Sequence, residues 1–187
     1  GGIPVAELLW KSLPFSEFNL LIVKKVPLPT TAEAGFGAVT PDGNLFLNDQ
    51  MLNRLDFDDH VVEQQVAIAK NQIDKRIEKF ALPPIEVKNK RVVVTDDGVA
   101  SGYSMIAASN WLAKKGAKEI TIAVPTGPLR SLQKFENLVD RIVCLNVRTS
   151  YRFSVAAAYE NWYDVPMKEA NQILSKMKKT STKQEKY

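Results

Sequence analysis

The segment Val92-Val93-Val94-Thr95-Asp96-Asp97-Gly98-Val99-Ala100-Ser101-Gly102-Tyr103-Ser104 says most about the architecture of this chain. An apolar run of β-branched residues predicts a buried strand over residues 91–95. Two adjacent carboxylates end that strand, and a loop of small residues follows them at once. The loop opens a helical pattern over residues 103–115, which Gly116 closes.

The same alternation continues along the second half of the chain. Residues 119–124 have strand character, residues 129–137 have helical character, and a further strand is predicted over residues 142–145. Strands that alternate with helices indicate a parallel sheet covered by helices. We therefore predict an α/β domain with a mainly parallel sheet and a hood formed by C-terminal segments.

The first half is less regular. A glycine turn and a helix begin the sequence, so we expect the first strand of this fold to be missing. Residues 18–23 predict a strand, residues 26–34 a long loop, and residues 35–40 and 44–47 a hairpin around Asp42 and Gly43. A long helix is predicted from Asp58 to about Phe80 and a last helix over residues 167–178.

Composition narrows the class of protein. The 187 residues are 45% hydrophobic and 25% charged, which is typical of a globular chain, and no apolar run is long enough to cross a membrane. The single Cys144 fits a reducing compartment, so we expect a cytoplasmic protein. One His60 and one cysteine argue against a His/Cys metal cluster. The net charge of +4 is too small to indicate nucleic-acid binding.

The strand-end segment predicts a binding site for a sugar phosphate. Ligands of open parallel sheets bind at the carboxyl ends of the strands, and the loop amides with the helix N-terminus favour an anion. Asp96 and Asp97 could accept hydrogen bonds from sugar hydroxyls, while Ser101 and Ser104 add hydroxyl donors. The competing interpretation is an ordinary strand-to-helix turn in which the two aspartates cap the helix.

This segment resembles the phosphoribosyl pyrophosphate (PRPP) motif of the type I phosphoribosyltransferase family. Gly1-Gly2-Ile3-Pro4-Val5-Ala6 is similar to the end of the family's pyrophosphate loop, and Val23-Lys24-Lys25 to its basic pair. The order of elements and Ala123-Val124-Pro125 are similar to a bacterial and archaeal group of predicted phosphoribosyltransferases whose substrate is unassigned.

The resemblance implies a role for each matching residue. Asp96 and Asp97 would hold the ribose hydroxyls, and Gly1 and Gly2 would contact pyrophosphate. The 5-phosphate would be bound by residues of one continuous loop, namely Val99, Ala100, Ser101, Gly102, Tyr103 and Ser104. The pyrophosphate would be neutralised by Lys24 and Lys25, together with Mg²⁺ that binds with PRPP. No metal site formed by the protein alone is implied.

Two further residues, Glu33 and Phe153, could act on the acceptor. Position 100 is alanine, where some relatives carry an aspartate that serves as base. Glu33 is the one carboxylate in the predicted flexible loop and could take that role. A solvated surface charge is the competing interpretation of Glu33. Phe153 stands where some relatives stack a ring on the base, although it could equally be a packing residue; for Trp162 and Tyr163 we predict packing.

We therefore predict transfer of a phosphoribosyl group from PRPP to a nitrogenous acceptor, expected to be a nucleobase, in nucleotide metabolism. The alternative is a regulator that binds PRPP or a nucleotide without chemistry. Residues 1–178 would form one domain and residues 179–187 a polar, disordered tail. The resemblance makes a homodimer plausible, and neither membrane nor nucleic acid is expected as a partner.

Overall fold

The structure is a computed structural model that describes residues 1–14, 17–28, 31–47, 58–150 and 152–184, with only the backbone of residues 31–34 and 178–184. Contacts divide the chain into two compact units. The first comprises Gly1–Asn19, Arg91–Ser101 and Glu119–Tyr187, and the second comprises Leu20–Lys90 and Gly102–Lys118. The organisation of residues 1–178 as a single domain stays a prediction.

The first unit contains a parallel sheet. Its strands are β4 (Arg91–Val94), β5 (Glu119–Pro128) and β6 (Arg141–Arg148), in that order. Arg91 pairs with Glu119, and Thr121 pairs with Arg141. The predicted α/β class and parallel sheet are confirmed. The strands β5 and β6 extend beyond the predicted residues 119–124 and 142–145, because each continues to pair where its own apolar run has ended.

Helices of the first unit follow the predicted order with different bounds. They are α1 (Ile3–Ser12), α4 (Leu129–Leu132) and α5 (Met167–Gln184), with 3₁₀ turns at Gln133–Phe135 and Ala156–Ala158. One side of α5 is buried and consists of Ala170, Ile173, Leu174 and Met177. Residues 179–184 continue this helix, which corrects the prediction of a disordered tail for them, because their polar sequence has no helix-breaking residue. Residues 185–187 lie outside the described residues.

The second unit contains an antiparallel sheet of β1 (Lys24–Leu28), β2 (Thr31–Val39) and β3 (Leu45–Leu47). The predicted hairpin around Asp42 and Gly43 is confirmed. Gly43 has φ +80°, and the carboxylate of Asp42 accepts a hydrogen bond of 2.7 Å from the hydroxyl of Thr40. Such a positive φ favours glycine, which explains the turn at this position.

The predictions for residues 18–34 are wrong in their boundaries. Residues 18–23 are irregular, whereas most of the predicted loop over residues 26–34 belongs to β1 and β2. Lys24 pairs with Val39, and the register shifts on either side of Pro27. A proline without an N–H is tolerated at such a bulge, so pairing with β2 prevailed over the local loop signal.

Two helices belong to the second unit. They are α2 (Asp59–Phe80) and α3 (Tyr103–Lys114). The carboxylate of Asp58 accepts a hydrogen bond of 3.1 Å from the His60 amide, which confirms the predicted N-cap. The core of this unit joins α2 to the sheet and includes Ile22, Val26, Phe36, Val39, Ala69 and Ile73. None of the helices in the described part of the chain combines the length and apolar character needed to cross a bilayer.

Candidate functional site

Strand β4 delivers two carboxylates at its carboxyl end. Asp96 and Asp97 follow the strand after Thr95, and both are half-buried. The amide of Asp97 donates a hydrogen bond of 2.9 Å to the carboxylate of Asp96. Burial raises the pKa of Asp97, and the neighbouring Asp96 charge raises it further. Two carboxylates therefore lie side by side, and the negative charge of Asp96 disfavours ionisation of Asp97.

The backbone of Gly1 and Gly2 lies directly against this pair. The nitrogen of Gly1 is 3.8 Å from Asp97 Oδ2. A Cβ atom on Gly1 would overlap Asp97 Oδ2, and one on Gly2 would lie 2.6 Å from Asp96 Oδ1. No L side chain fits there without displacing a carboxylate. The structure thus brings together two predicted groups of site residues that are far apart in the sequence.

The loop that follows the aspartates is held by contacts with Thr126 of β5 and with Val155. The amide of Val99 donates a hydrogen bond of 2.9 Å to the carbonyl of Thr126, and the Val99 side chain is buried. A Cβ atom on Gly98 would lie 2.9 Å from Val155 Cγ1 and 3.1 Å from the Thr126 carbonyl oxygen. The amide of Val99 is therefore occupied within the protein, and Val99 fixes the loop. Its predicted contact with the phosphate stays a prediction.

The end of the loop leads directly into the N-terminus of α3. Ala100 and Ser101 are exposed, and Gly102 adopts φ +88° at the N-cap of α3. The carbonyl of Gly102 accepts the first helical hydrogen bond from Ile106, at 2.9 Å. Gly102 has no side chain to cap the first turn of α3, and Ser104 is exposed in that turn. The partial positive charge of a helix N-terminus favours an anion there.

Three side chains that the sequence analysis did not assign contact this site. Ser131 Oγ donates a hydrogen bond of 2.6 Å to the Ala100 carbonyl, and Lys134 Nζ one of 2.9 Å to the Ser101 carbonyl. Tyr159 Oη donates one of 2.5 Å to the Asp97 carbonyl. The aromatic composition of residues 159–163 was the only signal for Tyr159. No local sequence pattern marks Ser131 and Lys134. They follow β5 and reach the loop only through the tertiary fold.

Tyr159 is held in place by a second aromatic ring. Its ring lies edge-on to Trp162, with 5.3 Å between the centroids. Burial raises the pKa of Tyr159, and the Asp97 and Asp96 charges raise it further. The hydroxyl therefore keeps its proton and acts as a donor to the loop.

The basic pair belongs to the second unit. Burial lowers the pKa of Lys24, and the charges of Arg76 and Lys25 lower it further. Within that unit the stem of Lys25 lies against Gly35, where an added Cβ atom would overlap Lys25 Cγ. The side chain of Glu33 lies outside the described residues.

The C-terminal aromatic residues differ in exposure. Phe153 is half-buried in the first unit. Trp162 and Tyr163 are 41% and 54% exposed, so Tyr163 is not the packing residue that was predicted, whereas Trp162 still packs its ring against Tyr159. The Tyr163 hydroxyl instead donates a hydrogen bond of 2.7 Å to Glu169, so this end of the aromatic segment is polar and solvated.

The donor set at the site fits Mg²⁺ that arrives with its ligand. Within the ranges that the structure describes, no three His, Cys, Asp or Glu side chains are grouped so that they could hold a metal ion. Asp96 and Asp97 form a pair of oxygen donors beside the loop of residues 98–102, which we call the anion loop. Mg²⁺ commonly binds through one or two carboxylates and the phosphates of a substrate.

Comparisons with known proteins point to one family. The family described as phosphoribosyl transferase domain matches residues 47–162. The chain is 30% identical over 164 residues to a Mycobacterium tuberculosis protein named by inference as a phosphoribosyl transferase, Rv0571c in strain H37Rv and MT0597 in strain CDC 1551. That match covers 87% of this chain and 37% of the relative, so the chain spans little more than a third of that protein.

A solved structure is also similar. The crystal structure of TT1426 from Thermus thermophilus superposes with a TM-score of 0.70 and 27% sequence identity. The match covers 94% of this chain and 83% of the other.

Proposed function

This chain belongs to the phosphoribosyl transferase domain family, and on that premise we propose that it transfers the phosphoribosyl group of PRPP to a nitrogenous acceptor, with release of pyrophosphate. One observation carries the proposal. The backbone of Gly1 and Gly2 lies against Asp96 and Asp97, and the anion loop begins at the next residue. PRPP carries a pyrophosphate at C1 and a phosphate at C5 of its ribose. A site for it needs a contact for the pyrophosphate, acceptors for the ribose hydroxyls and a loop for the 5-phosphate, side by side.

The ribose and its 5-phosphate would occupy the carboxyl end of β4. Asp96 and Asp97 accept hydrogen bonds from the 2- and 3-hydroxyls in this proposal. The 5-phosphate would bind where the exposed residues Ala100 and Ser101 lead through the buried Gly102 into α3. Tyr103 and Ser104 would complete this subsite at the first turn of the helix.

The pyrophosphate would lie on the other side of the carboxylate pair. The backbone of Gly1 and Gly2 would contact its oxygens in this proposal. Lys24 and Lys25 supply positive charge in this proposal. Mg²⁺ bound with PRPP would be held by the aspartates and phosphate oxygens, and it would neutralise charge on the leaving pyrophosphate.

The proposed reaction is a displacement at C1 of the ribose. A nitrogen lone pair of the acceptor forms the new C1–N bond while the C1–O bond to pyrophosphate breaks and its electrons leave with the oxygen. Positive charge develops on the ribose ring, and the nearby carboxylates of Asp96 and Asp97 stabilise it electrostatically. The proton lost from the acceptor nitrogen passes to a base, for which Glu33 is our candidate, or to water.

The acceptor remains the open part of the proposal. We expect a nucleobase, because its flat ring can stack on an aromatic side chain such as Phe153. The experiment is a screen for pyrophosphate release by the purified protein with PRPP, Mg²⁺ and a panel of bases. Release with one base supports the enzyme. Binding of PRPP without release from any base supports the regulator, and no binding of PRPP overturns both.

A further inference from the structure

The segment that follows β5 holds the back of the anion loop. Ser131, in α4, donates its hydroxyl to the Ala100 carbonyl at 2.6 Å, and Lys134, in the adjoining 3₁₀ turn, donates to the Ser101 carbonyl at 2.9 Å. Ser131 is buried, whereas Ala100 and Ser101 are exposed. Two successive carbonyls of the loop are thus turned toward α4 and its 3₁₀ extension.

This arrangement determines where the next two amides point. In a planar trans peptide the N–H group points away from the C=O group of the same peptide unit. The N–H of Ser101 therefore points opposite to the Ala100 carbonyl, and the N–H of Gly102 opposite to the Ser101 carbonyl. Within the described residues neither amide donates to another protein group. Both are directed away from the clamping side chains.

Charge adds to this effect. Lys134 is a cation behind the peptide units whose amides face the other side of the loop. It polarises those units, because a hydrogen bond to a carbonyl strengthens the donor character of the N–H in the same unit. Lys134 is an exposed residue overall; partial burial of its amine lowers its pKa, and the charge of Arg130 lowers it further.

We propose that Ser131 and Lys134 are positioning residues that orient the Ser101 and Gly102 amides for the 5-phosphate of the substrate. This inference rests on the proposed function, since it assumes that the loop binds this phosphate. Neither side chain touches the phosphate itself. They hold the loop in the form that binds it before the ligand arrives, and this reduces the cost of ordering the loop on binding.

Calorimetry with two separate ligands, ribose 5-phosphate and Mg²⁺-pyrophosphate, tests this role. We expect Lys134→Gln to weaken ribose 5-phosphate about three- to thirtyfold, the range for residues that act through others. Pyrophosphate affinity should change less than about twofold. Ser131→Ala should give the same pattern, and Lys134→Arg should restore binding of ribose 5-phosphate. Lys168→Gln, at an exposed position of α5, is the matched loss of one positive charge.

The outcomes separate the inference from the function on which it rests. Selective loss of ribose 5-phosphate in both variants, with both ligands unaffected in Lys168→Gln, supports the positioning role. Unchanged binding of ribose 5-phosphate in Lys134→Gln and Ser131→Ala overturns it while leaving the proposed function intact. Equal losses for both ligands, accompanied by a lower melting temperature, also overturn it because they indicate a merely structural effect. Failure of the parent protein to bind ribose 5-phosphate and PRPP overturns the proposed function itself.

Discussion

Replacing Asp97 with asparagine should have opposite effects on binding and on stability. The substitution keeps the size of the side chain and one carbonyl acceptor but removes the negative charge. Asp97 is half-buried beside Asp96, and both burial and that neighbour raise its pKa. In our proposal the same carboxylate accepts a hydrogen bond from a ribose hydroxyl. A charge that helps the ligand therefore destabilises the unliganded protein.

The loss of binding can be estimated from the bond that is weakened. A hydrogen bond to a charged group contributes about 1.5–3 kcal/mol, which corresponds to roughly 10- to 150-fold in the dissociation constant. Calorimetry with PRPP and Mg²⁺ measures this change. Asp74→Asn, at an exposed position of α2, is the control for loss of one carboxylate and should bind like the parent. Equal affinity of Asp97→Asn and the parent would remove the assignment to ribose.

The gain in stability follows from linkage. A raised pKa means that the folded state binds more protons than the unfolded state between the unfolded value, about 3.9, and the folded one. The free energy of unfolding therefore falls as pH rises through that window. Asp97→Asn removes this penalty, so its advantage is complete above the folded pKa and absent below the unfolded one.

Solvent screening limits the size of that gain. Asp97 is partly exposed, so we expect at most about 1 kcal/mol, or about 2–4 °C in melting temperature. Thermal melts of the unliganded protein at neutral pH and near pH 4 should show the advantage only at neutral pH. A variant that melts below the parent at neutral pH would contradict the assigned effect of burial on the Asp97 charge.

Three further substitutions test other parts of the site. Gly102→Ala must adopt φ +88°, which costs about 1–2 kcal/mol; thermal melts should show a fall of roughly 2–8 °C, and an unchanged melt would contradict the assigned conformation. Tyr159→Phe removes the donor to the Asp97 carbonyl, worth about 1 kcal/mol, so calorimetry should show PRPP affinity reduced about fivefold; a loss as large as that of Asp97→Asn would indicate direct contact with the ligand. Glu33→Gln should lower turnover about 10²- to 10⁴-fold with PRPP affinity unchanged, and steady-state kinetics that match the parent would clear Glu33 of the role of base.

The sequence predicted the parallel sheet because its strands carry their own signals. The run Val92 to Val94 is apolar and β-branched, and two aspartates end the strand that it predicts. Such strands are recognisable without knowledge of their neighbours. Their ends are less so, and β5 reaches Pro128 because Thr126 and Gly127 pair with Asn146 and Val147 of β6. That pairing is a tertiary property, and no local pattern announces it.

The antiparallel sheet shows the opposite case. Residues 18–23 have the more apolar sequence, yet the chain forms its strand at Lys24–Leu28, with two lysines and a proline. The strand is stabilised by pairing with β2 and by burial of Val26 in the core of the second unit. Strand propensity reflects packing on a half-buried surface more than the backbone itself, so the local signal misled the prediction.

The site was predictable for those residues whose positions follow from the predicted strand and helix. Asp96 and Asp97 follow a strand, and Gly102 precedes a helix, so their positions come from the order of elements. The approach of Gly1 and Gly2 to the carboxylates needed the resemblance to a family, because their separation along the chain gives no spacing to interpret. Side chains that act from another element, Ser131 above all, could be found only by tracing the hydrogen bonds of the loop.

The loop itself divides its residues between two tasks. Gly98 and Val99 face inward, where Thr126 and Val155 leave no space for an added Cβ atom and the Thr126 carbonyl accepts the Val99 amide. Ala100 and Ser101 face outward, and their carbonyls are held from behind. The apolar Val99 therefore anchors the loop. These anchoring contacts all lie within the first unit, whereas Gly102, Tyr103 and Ser104 belong to the second. In our proposal the motif supplies contacts to the ribose and its phosphate and none to the acceptor, which is why a clear motif leaves the acceptor unnamed.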